Sequence, residues 1–242
     1  MTIRGSQMAI AGPEANKDPL QQSDTEAAYE LVMDAIVTQK LAPSQKVSEN
    51  IFTEKFGISR AISRNLIERL IARHFLVSVS PRITVVAPLT LLEIKQSFTL
   101  RKILLPEIFA LAAPKVDYPA LHALNERIHG MLPPKDDAAA LEVLKLNKQL
   151  NEMLCEQAGY PQMLDWARQL ELTAMRIYWL YIKVTNSFFY SREQTEMSIN
   201  VLQSEDPARI KRVMYDLLSQ TEERILNTVF SHKQFNTQDL IV

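Results

Sequence analysis

From Thr25 onward apolar residues recur at helical spacing, with Ala28, Leu31, Val32, Ala35 and Ile36 in step, and Pro43 requires that helix to have ended before it. The pattern predicts a first helix of about four turns. Ser48 is placed to cap a short second helix through Phe56, Gly57 supplies a left-handed C-cap, and Ser59 caps a third helix only two residues later. In the third helix Ile62, Leu66 and Leu70 share a face, while Arg60, Arg64 and Glu68 lie on the opposite side. Helix, tight turn, helix thus leaves a polar face turned outward. The runs Leu76 to Val79 and Thr84 to Val86 are rich in β-branched residues and flank Ser80, Pro81 and Arg82, which predicts a two-stranded hairpin with a basic tip. A hairpin after a helix-turn-helix is a wing.

Pro88 interrupts the chain before helical periodicity resumes at Leu91, which puts a domain boundary near Ala87 to Leu89. Beyond it, breaks at Pro114, Pro133 with Pro134, Gly159 to Pro161, Asn186 and Asp206 with Pro207 divide the chain into about six helices and no strand. Their expected spans are Leu91 to Ala113, Tyr118 to Met131, Asp137 to Ala158, Gln162 to Val184, Ser191 to Ser204 and Ala208 to Val229. Met1 to Gln22 is polar, carries Gly and Pro and has no apolar period, so a flexible arm is expected there. The division is an arm over 1–22, a winged domain over 23–88, a helical domain over 89–231 and a tail over 232–242. The fold class is mostly α, a winged helix-turn-helix followed by an all-α bundle. No internal repeat or low-complexity tract is present.

Composition agrees with this: 47% apolar and 23% charged residues with only 5 Gly among 242 suit a helix-rich globular chain. The formal net charge of -1 points to no nucleic acid globally. Locally the balance differs, because seven basic residues stand against three acidic ones between Lys46 and Arg82. Neither a signal sequence nor a run long enough to span a bilayer is found, so a cytoplasmic protein without membrane contact is expected. The lone Cys155 falls in an amphipathic helix and reads as a core thiol. The chain holds no Ser/His/Asp arrangement, no glycine-rich phosphate loop and no Cys/His metal spacing, so no enzyme and no cofactor is expected.

The stretch from Lys46 to Leu66 resembles the GntR-family pattern G-x-x-L-S-E-x-x-L-A-x-x-x-G-V-S-R-T-P-V-R-E-A-L in its spacing throughout. Arg82 to Thr90 is similar to that family's wing and exit, R-G-x-x-V-A-P-L-S. The later helices resemble the FadR C-terminal domain through Leu100 with Arg101, Glu156 to Pro161, and Ser204 to Asp206. Ala61, Ile62 and Ser63 replace the family's Thr-Pro-Val, and Ile83 replaces the wing glycine. The resemblance implies a sequence-specific transcriptional regulator, a homodimer on double-stranded operator DNA whose helical domain binds a small-molecule effector and dimerises. The expected DNA-contact set is Ser59, Arg60, Ala61, Ser63, Arg64 and Arg82. Arg60 and Arg64 stand four apart on one exposed face, within reach of one major-groove segment. Ser59 serves as cap or phosphate donor, and Arg82 either meets the minor groove or backbone or is solvated.

The family's C-terminal domain often holds a metal through one Asp and three His, and the aligned positions here carry Asn147, Asn151, Thr195 and, near the last, Leu217. Neutral amide and hydroxyl oxygens are poor transition-metal ligands, so the resemblance with these replacements implies an organic effector, possibly a carboxylate, bound without metal. Its expected contacts are Arg101, Asn147, Asn151, Thr195 and Leu217. Two readings stand for the Asn147 and Asn151 pair, a pocket lining or a solvated or internally bonded pair. Two also stand for Arg101, an anion contact or an ion pair with a neighbouring Glu. The aromatic residues between Tyr178 and Ile182 and from Phe188 to Tyr190 suit core or dimer packing first and a ligand wall second. His74, His122, His129 and His232 show no ligand spacing, and His122 and His129 read as surface residues. Other functions compatible with the sequence are a ligand-independent DNA-binding dimer with a degenerate pocket and, less favoured, a small-molecule-binding protein without regulation.

Overall fold

The structure, a computed structural model, describes residues 19–204 and 206–231. Most of the expected arm, the whole tail with His232, and residue 205 lie outside that range. The first helix, α1 (Pro19–Val37), begins six residues before Thr25, so the expected boundary at 22 and 23 falls within a helix. Proline is acceptable at a helix start because the N–H it lacks has no intrahelical partner there.

The turn predicted from its caps forms as a unit. Helix α2 (Glu49–Phe56) is capped by Ser48, whose hydroxyl accepts from the Ile51 N–H at 3.3 Å, and closes on Gly57 at φ 66. That conformation favours a residue without Cβ. Helix α3 (Arg60–Ala72) is capped by Ser59 in the same way, from the Ile62 N–H at 3.2 Å. Phe52, Leu66 and Leu70 are fully buried between these helices and α1.

The wing carries one strand more than the apolar pattern suggests. Strand β1 (Lys46–Val47) pairs with β3 (Ile83–Val86), which pairs with β2 (Leu76–Ser80), giving an antiparallel sheet of order β1-β3-β2. Two residues are too few to display a period, and β1 exists because β3 offers it an edge.

The helical domain comprises α4 (Leu91–Ala112), α5 (Tyr118–Gly130), α6 (Asp137–Gln157), α7 (Pro161–Thr185), α8 (Arg192–Gln203) and α9 (Pro207–Ser231), with a 3₁₀ turn over Ala113–Lys115. Helix α4 packs on α9, α7 and α6, and it continues through the buried Pro106 without ending. Every residue from Ala174 to Ile182 is buried, so α7 is the domain's central helix, enclosed on all sides along that stretch with Arg176 its one charged residue. The aromatic run belongs to this packing: Tyr178 stacks on Phe189 with ring centroids 3.6 Å apart. One apolar cluster runs from Val32, Ile36, Leu70 and Phe75 through Leu89 to Ile94, Phe98 and Trp179, so the winged and helical parts share a core. A second cluster, with Leu105, Phe109, Leu154, Ile199 and Met214, surrounds a cavity. Cys155 is buried in it, where burial pushes its thiol pKa up. Among the described residues no helix is long and apolar enough to cross a membrane.

Candidate functional site

The outward face of α3 is a stripe of Ala61, Arg64, Asn65 and Glu68 at helical spacing, with Arg60 exposed one turn before Arg64. Asn65 joins this face beside the residues expected from the sequence, and its spacing of four from Ala61 was the signal for it. Arg64 is two-thirds exposed, and its Nε donates to Glu49 Oε1 at 2.8 Å across the turn. That hydrogen bond holds the Glu49 carboxyl below its ordinary pKa. Ser63 departs from the expected DNA-contact set because it is fully buried. Its hydroxyl donates to the Ser59 carbonyl at 2.9 Å and lies 3.2 Å from Thr53 Oγ1, tying α3 to α2. The reason is periodic: Ser63, Leu66 and Leu70 stand three and then four residues apart, which puts them on one inward stripe.

Arg82 is exposed at the wing tip between β2 and β3. The basic excess is partly spent inside the domain, since Arg69 makes a fork-like pair with Glu26 at 2.7 and 3.1 Å and its guanidinium lies 3.7 Å from the Tyr29 ring centre. Arg69 therefore fastens α3 to α1 and faces no partner.

In the helical domain a cavity of about 70 Å³ gathers side chains from α4, α5, α6, α8 and α9. Arg101, Asn147, Asn151, Thr195 and Leu217 all line it, together with Asn125, Phe188 and Tyr190. Five positions spread over more than a hundred residues of sequence are thus neighbours in space. Asn125 was not among the expected residues; it sits on α5, where helical spacing alone marked nothing of this kind.

Of the two readings for Arg101, the ion pair is realised. Its Nη1 donates to Glu171 Oε1 at 2.7 Å, and both side chains are at most 2% exposed. Burial disfavours the guanidinium's charge, but the Glu171 carboxylate outweighs that and holds Arg101 above its ordinary pKa. Glu171 also accepts from Asn151 Nδ2 at 3.0 Å, so Asn151 is internally bonded while lining the cavity. Glu171 lies seventy residues from Arg101 on another helix, and no local pattern marks it. Arg101 Nε has no hydrogen-bond partner among the described residues.

Thr195 is committed as well: its hydroxyl donates to the Arg192 carbonyl at 2.9 Å and lies 2.8 Å from His129 Nε2. With the threonine proton spent on the carbonyl, His129 is the donor of the second bond, which sets its tautomer. His129 is half-buried and not the surface residue its sequence suggests. Burial first, and then the charge of Arg192, hold its pKa below the ordinary 6.5. The metal of the family's domain does not fit this site: its donors are two amides, a committed hydroxyl and an aliphatic chain. Among the described residues no group of three or more His, Cys, Asp or Glu side chains is gathered to hold an ion.

Helix α7 joins the two halves. Besides Glu171 it carries Arg176, which is buried and donates to the Ala87 carbonyl in the interdomain link at 2.7 Å, and Gln169, which donates to the Arg73 carbonyl at the end of α3. Lys145 of α6 adds a 2.6 Å ion pair to Asp34 of α1.

The described residues thus join a winged helix-turn-helix to a helical domain built around a cavity. The FCD domain, the C-terminal domain of GntR-family regulators, matches residues 96–220, more than half of the chain. The chain belongs to this family. Solved structures share its fold: E. coli McbR/YncC at 16% identity, covering 84% of this chain and 97% of that one with a TM-score of 0.69. A GntR transcriptional regulator from Rhodococcus sp. RHA1 follows at 14% identity, 85% and 98% coverage and TM-score 0.64. Lar, described as controlling the Listeria monocytogenes agr system, is 14% identical over 84% and 96% of the two chains, with TM-score 0.56. By sequence, no curated protein matches the chain.

Proposed function

We propose that the protein binds double-stranded operator DNA as a homodimer, and that a small organic molecule held without metal in the α4–α9 cavity changes its affinity for that operator. Arg60, Ala61, Arg64 and Asn65 enter the major groove, Ser59 meets phosphate, and Arg82 of the wing reaches the adjacent backbone or minor groove. The exposed stripe on α3, following a capped tight turn, supports this half of the reading. The observation that carries the regulatory half is the run of α7, whose Glu171 holds the cavity's Arg101 and whose Arg176 and Gln169 hold the winged domain. A ligand that prefers one position of α7 thereby biases the placement of α3 by its differential binding free energy.

The homodimer is supported by a stripe on α4 where Leu92, Leu100, Ile103 and Leu111 are exposed at spacings that share one face. Its occupant is a second copy, since paired winged domains are what a two-half-site operator requires. One observation favours a second reading, the ligand-independent DNA-binding dimer: the cavity is small and Arg101, its only charged lining residue among the described residues, is already paired.

Gel-shift titration of the purified protein against a duplex selected from a random pool, and against a scrambled duplex, tests the proposal. Specific binding to the selected duplex, altered by a molecule that also raises the melting temperature, is the expected result. Equal affinity for both duplexes rejects sequence-specific regulation.

A further inference from the structure

Resting on the reading of the cavity as the effector site, we infer that it takes a compact uncharged molecule, an apolar body with one amide-like end, and that Glu171 is the residue that excludes carboxylates. Among the described residues Arg101 is the only charged side chain on the cavity wall, and Glu171 neutralises it at 2.7 Å with both groups out of water. A carboxylate ligand meets two unfavourable choices there. It can take Arg101 away from Glu171, which then remains a buried carboxylate without its cation. Otherwise it approaches the unpartnered Arg101 Nε and becomes a second buried carboxylate on a cation whose charge Glu171 already balances.

The open polar groups are of another kind. Asn125 and Asn147 are more than nine-tenths buried, line the cavity, and make no side-chain hydrogen bond among the described residues. An amide offers both donor and acceptor, so two of them complement a neutral group that can do both, above all another amide. Two of the hydroxyl side chains on the wall, Thr195 and Ser198, donate to carbonyls of their own helix. Most of the remaining wall is aliphatic or aromatic, from Leu105 and Phe109 to Met214 and Leu218. A cavity of about 70 Å³ suits a body of only a few heavy atoms.

The experiment compares isosteric probes on the full-length protein, isobutyramide against isobutyrate and isovaleramide against isovalerate, by calorimetry and melting temperature. On the wild type the amides are expected to bind at least about tenfold more tightly than their carboxylates. In Glu171→Gln, which releases the charge of Arg101, the order should reverse. The double variant Arg101→Met with Glu171→Leu removes both charges, guards against failure of the single variant to fold, and should keep the amide preference. Asn147→Leu should lose amide binding. A wild type that binds the carboxylates as well as the amides overturns the exclusion by Glu171, and amide binding that survives Asn147→Leu overturns the amide end, each while leaving the cavity as the effector site. No binding of either probe class by any of these proteins overturns the inference together with the reading on which it rests.

Discussion

Arg64 sits midway along the exposed stripe of α3 and is held by Glu49 in a pair open to water. Such a pair is readily exchanged for a phosphate or a guanine edge, because water screens it. Arg64→Ala should weaken operator binding by about tenfold or more while circular dichroism stays that of the wild type. Unchanged affinity in a folded variant would remove α3 from the groove. Ser63, one position earlier, is the contrast, since 100° of helical rotation carries it from the outward face into contact with α2. His129 supplies a residue-level test by pH. Its folded pKa lies below 6.5, so the unfolded chain takes up a proton that the folded chain resists as pH falls through that value. Burial first, and then Arg192, enforce this against the partial opposition of Glu126, Glu196 and Glu193. Stability is therefore fully present above about pH 6.5 and declines on acidification, and His129→Gln, which still donates to Thr195, should flatten that decline in the melting temperature. An identical pH profile in the variant would contradict the assignment.

Among the elements, α7 has the most demanding position, because it is buried along nine consecutive residues and bonded to both halves of the molecule. Arg176→Met keeps the apolar stem but leaves the Ala87 carbonyl without its donor, a loss of about 1 to 3 kcal/mol for a buried group. At this chain length that is a fall of several degrees in melting temperature. The same variant should keep operator affinity yet lose its response to a cavity ligand, measured by gel shift with and without isobutyramide. A full response in Arg176→Met would mean that α7 is not the link. The helices themselves were legible to within about two residues at nearly every end beyond α1, since Ser, Asp and Thr caps, Pro and Gly sit where the apolar period stops. One detail was not legible, for a physical reason. Strand β1 is defined by its partner's edge, whereas α4 runs through Pro106 as the expected span Leu91 to Ala113 requires, its packing on α9 and α7 outweighing the bond the proline removes.

For the whole molecule, the exposed stripe of α4 decides the assembly. Ile103 and Leu100 lie at its middle, and a charge placed among apolar groups buried in a dimer costs more than on a solvated helix. Wild type should scatter light as a dimer, and Ile103→Glu as a monomer of unchanged helicity with weakened operator binding. A dimeric Ile103→Glu protein would place the interface elsewhere. From the sequence alone came the order and type of almost every element and the outward pair Arg60 and Arg64, because caps and periods are local properties of the chain, while the list Arg101, Asn147, Asn151, Thr195 and Leu217 came through the resemblance to the GntR family. Only tertiary structure decided that those five meet at one cavity, that Glu171 cancels the charge of Arg101, and that Asn125 and Asn147 are its open polar groups. Partnership across seventy residues depends on how helices pack, and packing leaves no periodic trace in either helix taken by itself.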